Sequence, residues 1–450
     1  MKTLPWFSIS KFFLFLTPFA IIIVTKSTLF PFIVGKYIWF RSSVALALIA
    51  FLCGLLFETR GWEEYGKKII RVLKTPLGIT VTAFAGIFIL AGFLGIRPSY
   101  SFWSNFERGE GGLQMLNLYI LFLLLATLFQ KESDWRKFFW AALWAAFCMV
   151  LYGVGAGLGY NGFIGEKFGE PNFRFQGSLG NSSYVAALLI FAAFYGAYIL
   201  ATRYSKRLFF HAGSILIWIF FGVYGAAFLL AGTRGAFLGL IGGIFVGLAY
   251  LGYAIKSWRK WAIAIAVVLA VTAGSLITFR DSEFVKRIPG SRIFDISFTT
   301  TTLQHRTIMW QIAWWSFKER PILGWGPENF GVLFQKNFNP RYFEPDKGFG
   351  AWFDRAHNVI FDYLASVGIL GTLAYVSIFA VIYWNILRGK IEKNAGLSPG
   401  IAAFVLAVPT AYLVQGIALF DILPTYLNLF MFFAFAWYLF YGNHEKNNKK

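Results

Sequence analysis

Residues 357–371 read HNVIFDYLASVGILG and open an apolar run that continues to position 387. A run of that length crosses a bilayer as a helix. At 100° per residue, Gly368 and Gly371 fall within about 40° of His357. The spacing predicts one helical face with an imidazole at its mouth and two glycines below it. Glycines on a membrane helix let a neighbouring backbone approach closely. Such a helix would hold a reactive histidine at a membrane surface.

The rest of the chain agrees with a membrane setting. Of 450 residues, 58% are hydrophobic and only 14% charged, and the mean hydropathy is +0.60. A soluble domain needs far less apolar content. Long apolar runs recur throughout, so the expected fold is an all-α polytopic membrane protein. We expect twelve spans, at 12–29, 42–57, 77–96, 112–130, 138–157, 181–201, 211–231, 235–254, 261–279, 357–387, 399–418 and 423–441. The expected organisation is one functional unit. Residues 1–279 carry the first nine spans, 280–356 form one large extracytoplasmic loop with amphipathic helices, and 357–450 carry the last three spans and a short basic tail. Lys2 and Lys11 precede the first apolar run without a small-residue cleavage site, which reads as a first membrane helix. Cys53 and Cys148 lie inside apolar runs and suggest neither a disulfide framework nor a metal site.

The net charge of +20 raises nucleic acid as a partner, but its distribution argues otherwise. With the N-terminus in the cytoplasm, 22 of the 41 Lys and Arg fall in inside segments, eight in short outside segments and 11 in 280–356. Every cytoplasmic loop is then basic, as membrane topology requires, and long loops are exempt from the count. Both termini are expected in the cytoplasm, and no nucleic-acid partner is expected. Arg174, Arg234, the 280–356 segment and His357 all fall on the extracytoplasmic side.

These residues form the candidate chemistry. Arg234 lies between two apolar runs, where insertion of an arginine costs about 2.5–3.5 kcal/mol. It reads as a snorkelling interface residue or as an anion clamp, since a guanidinium forks onto phosphate oxygens. Gly235, Gly239, Gly243 and Gly247 follow at four-residue spacing. That ridge would bring another helix close, fix the arginine and favour the clamp. The segment FRFQGSLGN at 173–181 places Arg174 and Asn181 where a span begins. It reads either as a loop with a helix cap or as a second anion-contacting loop. From Arg306, the residues Trp310, Ala313, Trp314 and Phe317 share one helical face, which predicts an amphipathic helix near the membrane surface. The cluster PILGWGPENF at 321–330 should end that helix. Trp352, Phe353 and Tyr342, with Asp354 and Arg355, suit a sugar or an interfacial aromatic belt. His357 reads either as a satisfied polar residue at a helix start or as a general base, because imidazole titrates near neutral pH. His305, Asn358, Asp362 and Asp421 are the other polar groups near it. No carboxylate cluster or His/Cys spacing suggests a bound metal.

The His-Asn, nine residues, Gly, two residues, Gly pattern at 357–371 resembles the signature of the O-antigen ligase and polymerase superfamily. So do FRFQGSLGN before a span, TRGAFLGL at 233–240, and RTIMWQIAWWSFKERPILGWGPENF at 306–330. Ala-Gly-Thr at 231–233 stands where the family has a serine-rich lead. The resemblance implies a GT-C-like, metal-independent, inverting glycosyltransferase in a bacterial plasma membrane. It would take a glycan from an undecaprenyl-pyrophosphate carrier and pass it to a glycan, lipid or protein hydroxyl on the outer face. It implies that Arg234 and Arg306, with Arg174 as a looser match, contact the pyrophosphate and that His357 is essential. No cofactor is expected. A protein O-oligosaccharyltransferase of the same superfamily shares these motifs. A transporter or flippase for a lipid-linked sugar is the rival of another class, and it would call for charges near the bilayer midplane.

Overall fold

The structure is a computed structural model that describes residues 4–105, 107–160, 167–170, 173–205, 207–296, 301–340, 352–388 and 398–442. Tyr342 and the basic tail after position 442 lie outside the described residues. Every regular element among the described residues is helical. Ten helices are long and apolar enough to cross a membrane: Val34–Phe57, Pro76–Phe93, Glu132–Gly157, Ser182–Arg203, Ala212–Ala231, Arg234–Ala254, Lys256–Thr278, Val359–Leu387, Pro399–Gly416 and Leu423–Tyr441. Two shorter apolar helices, Trp6–Ile22 and Gly112–Leu128, fall on the first and fourth of the twelve expected spans. The first is short because Pro18 tightens its end into a 3-10 turn at Thr17–Ile22.

The core is an aromatic column around Leu423–Tyr441, the most completely buried helix of the bundle. Phe435 on it packs edge-on against Trp135, Phe139 and Tyr198. At one end of the bundle, Lys11 pairs with Asp134 at 2.9 Å and Trp437 donates to Thr75 Oγ1 at 2.9 Å. At the other end the loops around 105–110, 173–181, 231–234, 292–295, 324–329, 354–358 and 417–421 meet. Arg174, Arg234, His357 and, from the 280–356 segment, Asp295, Arg306 and Arg355 lie at this end.

The glycine ridge does what its spacing predicts. Gly235, Gly239, Gly243 and Gly247 face the Pro399–Gly416 helix and its end. A Cβ on Gly239 would stand 2.5 Å from Ala411 O, and one on Gly243 2.7 Å from Ala407 O. The partner face is itself small, with Ala403, Ala407 and Ala411 at the same four-residue step. Small residues on both sides let the two backbones touch.

The 357–371 stretch departs from its expected form. The helix begins at Val359, not at His357, and Gly368 interrupts it with φ 63° and ψ −165°. The imidazole and the two glycines therefore do not share a helical face. The 321–326 turn fills the break. Ile369 N donates to Pro321 O at 2.8 Å, Trp325 N to Ala365 O at 2.9 Å, and Gly326 N to Ser366 O at 2.9 Å. Groups that the helix leaves unpaired at the break are satisfied by another segment's backbone, as burial in a bilayer demands. A Cβ on Gly368 would lie 2.4 Å from Ile322 O. The close approach is real, but the neighbour is a turn.

The Thr301–Glu319 helix also differs from expectation. Its buried face is Met309, Ile312, Ala313 and Ser316, while Trp314 and Trp315 are exposed. The expected face is rotated because Met309, Phe330, Leu333 and Phe334 form a small apolar cluster of their own. Trp310 stacks on Phe361 with centroids 5.7 Å apart. The Pro321–Gly326 cluster ends the helix as its sequence predicts.

Candidate active site

Asn358 sets the start of the Val359–Leu387 helix. Its Oδ1 accepts from Ile360 N at 2.9 Å and Phe361 N at 3.1 Å, the work of a cap. Its Nδ2 donates to Ile417 O at 3.1 Å and ties this start to the next hairpin. His357 precedes the cap in the left-handed region, at φ 54°. Its ring lies edge-on to Phe353 and to Phe420, each with centroids 4.9 Å away. Nδ1 stands 3.2 Å from Arg355 O. A carbonyl only accepts, so Nδ1 carries the hydrogen and Nε2 keeps the lone pair. Burial pulls the His357 pKa down to about 4; the Arg355 carbonyl and Asp354 oppose this, while the charges of Arg306 and Arg108 reinforce it. The imidazole is neutral at neutral pH, the form a base requires.

The arginines arrive from three segments. Arg234 opens its helix, and its Nη2 lies 2.5 Å from Asp295 Oδ2, with Arg292 O 3.4 Å from Nε. Arg174 donates to Ala231 O at 3.1–3.2 Å and to Thr233 Oγ1 at 3.2 Å. It holds the turn that feeds Arg234, and Phe175 N adds a bond to Leu230 O at 3.1 Å. Arg306 is half-buried, and among the described residues no carboxylate pairs with it. Burial lowers its pKa first, and the charge of Arg234 lowers it further. Two guanidiniums that repel each other, with one carboxylate between them in the charge count, leave excess positive charge beside a neutral imidazole.

Asp354 and Arg355 belong to an ionic cluster. Arg108 forks onto Asp354 at 2.6 and 2.9 Å. Burial would raise the Asp354 pKa, but the Arg108 guanidinium outweighs it and holds the carboxyl below its ordinary value. Arg355 is buried against Glu328, Glu110 at 3.4 Å and Asp362 at 3.6 Å. Burial pushes Glu110 up to about 8, against the pull of Arg355. Asp362 also accepts from Ala356 N at 3.1 Å. Asp421 is buried between the hydroxyls of Tyr412 at 2.6 Å and Tyr363 at 3.2 Å.

Asn181 sits apart as the cap of the Ser182–Arg203 helix, accepting from Ser183 N at 2.8 Å. Trp352 is exposed and packs on Phe334 with centroids 5.2 Å apart. Arg108, Glu110, Glu328 and Phe420 were not among the sequence candidates. For Arg108 and Glu110 the one signal was the run of three charges, Glu107, Arg108 and Glu110, in a short glycine-bearing segment at 107–112. Glu328 lay in the 321–330 cluster, which reads as a helix stop, and Phe420 had no signal. Among the described residues no group of three or more His, Cys, Asp or Glu side chains is placed to hold a metal ion. Asp295, Asp354, Glu110, Glu328 and Asp362 turn to arginines, and Asp421 to tyrosine hydroxyls.

Residues 219–376 match the protein-family model described as O-Antigen ligase. The matched stretch contains Arg234, Arg306, Arg355 and His357. No curated protein matches the chain.

Proposed function

We propose, from the match of residues 219–376 to the O-antigen ligase family model, that this protein is a membrane glycosyltransferase of surface-polysaccharide synthesis and works by metal-independent inversion. Its donor is a glycan on an undecaprenyl-pyrophosphate carrier, and its site faces outward from a bacterial plasma membrane with both termini inside. One observation carries the reading: Arg234 and Arg306 are close enough for the charge of the first to act on the second, and Arg306 in turn acts on His357, whose Nδ1 faces Arg355 O and whose Nε2 keeps its lone pair, so two guanidiniums and a neutral imidazole stand at one end of the bundle.

Arg234 and Arg306 hold the pyrophosphate, and Arg174 keeps the Arg234 turn in place. His357 Nε2 takes the proton of the acceptor hydroxyl. The hydroxyl oxygen bonds to the anomeric carbon from the face opposite the pyrophosphate. The bond from that carbon to the phosphate oxygen breaks, and its electron pair leaves on the pyrophosphate. The two guanidiniums stabilise the charge that builds there. A pyrophosphate bound beside Arg306 also offsets the positive charge that weakens His357 as a base. Asp354 and Trp352 border the acceptor side.

The test is glycan transfer by purified protein in EDTA from an undecaprenyl-pyrophosphate oligosaccharide to glycan, lipid and peptide acceptors. Wild type should release undecaprenyl pyrophosphate. His357→Ala, Arg234→Ala and Arg306→Ala, at matched folding, should each lose about 10²-fold or more in rate. Undiminished release by His357→Ala would sink the base assignment.

A further inference from the structure

Among the described residues four non-glycine positions have left-handed φ: Arg60, Ser104, Glu328 and His357. A residue with a Cβ adopts that region at a cost, and such residues persist where their surroundings over-determine them. Three of the four meet in one place. Ser104 Oγ donates to Glu328 Oε2 at 2.5 Å and accepts from Glu110 N at 3.1 Å. Glu328 Oε1 and Glu110 Oε2 both receive Arg355 Nη2. Arg355 O is the contact of His357 Nδ1.

The supports of this knot come from separate parts of the chain. Ser101 Oγ donates to Pro327 O at 2.8 Å, and Asn329 Nδ2 donates to Ser101 Oγ at 2.9 Å. Glu110 Oε1 accepts from Leu423 N at 2.8 Å. From 355 to 358, the Arg355 side chain is tied by three carboxylates. The Ala356 N–H is tied by Asp362, and the Asn358 side chain by Ile417 O and its own helix. The imidazole direction is therefore set by bonds made one and two residues away.

We propose that Arg355 and Glu328 are positioning residues for His357: their buried ion pair, steadied by Ser104, Glu110 and Asp362, holds the left-handed turn that presents the imidazole. For catalysis this rests on the glycosyltransferase reading above, because the base needs to be presented only if it takes a proton. A reacting group displaced by about 1 Å can lose about 10²-fold in rate without loss of substrate binding.

The experiment uses the full-length protein and the variants Arg355→Lys, Glu328→Gln, Glu328→Asp and Ser104→Ala. Three quantities are read: kcat and donor KM, amide hydrogen exchange across 353–361, and thermal unfolding. Arg355→Lys and Glu328→Gln should lose about 10²-fold in kcat with donor KM within about twofold. Amides 356–359 should exchange faster in both, with the remaining helices still protected. Glu328→Asp should recover part of the lost kcat. Should the buried-charge variants fail to fold, Ser104→Ala removes only a hydroxyl and should show the same changes at smaller size. Wild-type kcat in every folded variant would overturn the proposal, as would unchanged exchange at 356–359. A parallel fall in kcat and rise in KM, with loosening of the whole bundle, would mark a merely structural role and overturn it too. If wild type transfers no glycan, the glycosyltransferase reading fails by itself, and the exchange data still decide whether the cluster holds the turn.

Discussion

Two helices of this bundle carry glycines at close contacts, and they use them in opposite ways. In Arg234–Ala254 the four ridge glycines keep helical geometry and admit a second helix, Pro399–Gly416. In Val359–Leu387, Gly368 leaves helical geometry at φ 63° and admits the backbone of the 321–326 turn. The first is a packing surface repeated every four residues. The second is a single joint at which one segment completes another's hydrogen bonds. A repeated contact shares its cost among many atoms, whereas a joint concentrates it at one residue.

The contrast predicts unequal tolerance to a single methyl group, measured by thermal unfolding of purified variants. Gly368→Ala should be the most damaging, by about 3 kcal/mol or more, because its φ and ψ are nearly closed to other residues and its Cβ meets Ile322 O at 2.4 Å. An unfolding temperature equal to wild type would show that the joint is not needed. Also on the joint side, acid should slow transfer late. With the His357 pKa lowered to about 4, the neutral base persists down to that value. Below pH 7, where Glu110, pushed up to about 8, no longer changes its charge, the kcat/KM profile should stay flat to about 5 and then fall tenfold per unit below about 4. A fall centred near 6.5 would mean a solvated imidazole. On the ridge, Gly239→Ala and Gly243→Ala should each cost about 1–3 kcal/mol through overpacking, as their Cβ atoms would stand 2.5 and 2.7 Å from carbonyl oxygens. Gly247→Ala should be the mildest, below about 0.5 kcal/mol, since its Cβ would meet Ala403 O and Ala407 Cβ at an ordinary 3.5 Å. Equal losses at all four ridge positions would refute the graded approach of the two helices.

Legibility in the sequence followed the same division. Arg234 with its ridge, Arg306 and His357 could be singled out because each sits at a local pattern: a four-residue period, an amphipathic face, the edge of an apolar run. Arg108 and its partner Asp354 lie 246 positions apart, and Ser104 and Glu328 lie 224 apart. No local pattern announces a pairing over such distances. The buried face of Thr301–Glu319 was misread for a related reason. Its apolar residues surround the helix, so the neighbours decide which of them are covered.

The sequence by itself determined the helical membrane architecture, because a backbone in lipid must satisfy its own hydrogen bonds and apolar runs of span length leave few other folds. It also determined the small-residue face of Arg234–Ala254, since helical periodicity converts spacing directly into a surface. Only the tertiary structure decided that His357 stands outside the helix, that Gly368 breaks it, and that Arg355 is the hub of a carboxylate cluster. Those features depend on which distant backbone or charge is available to complete an unsatisfied group, and that partner exists only once the segments have packed.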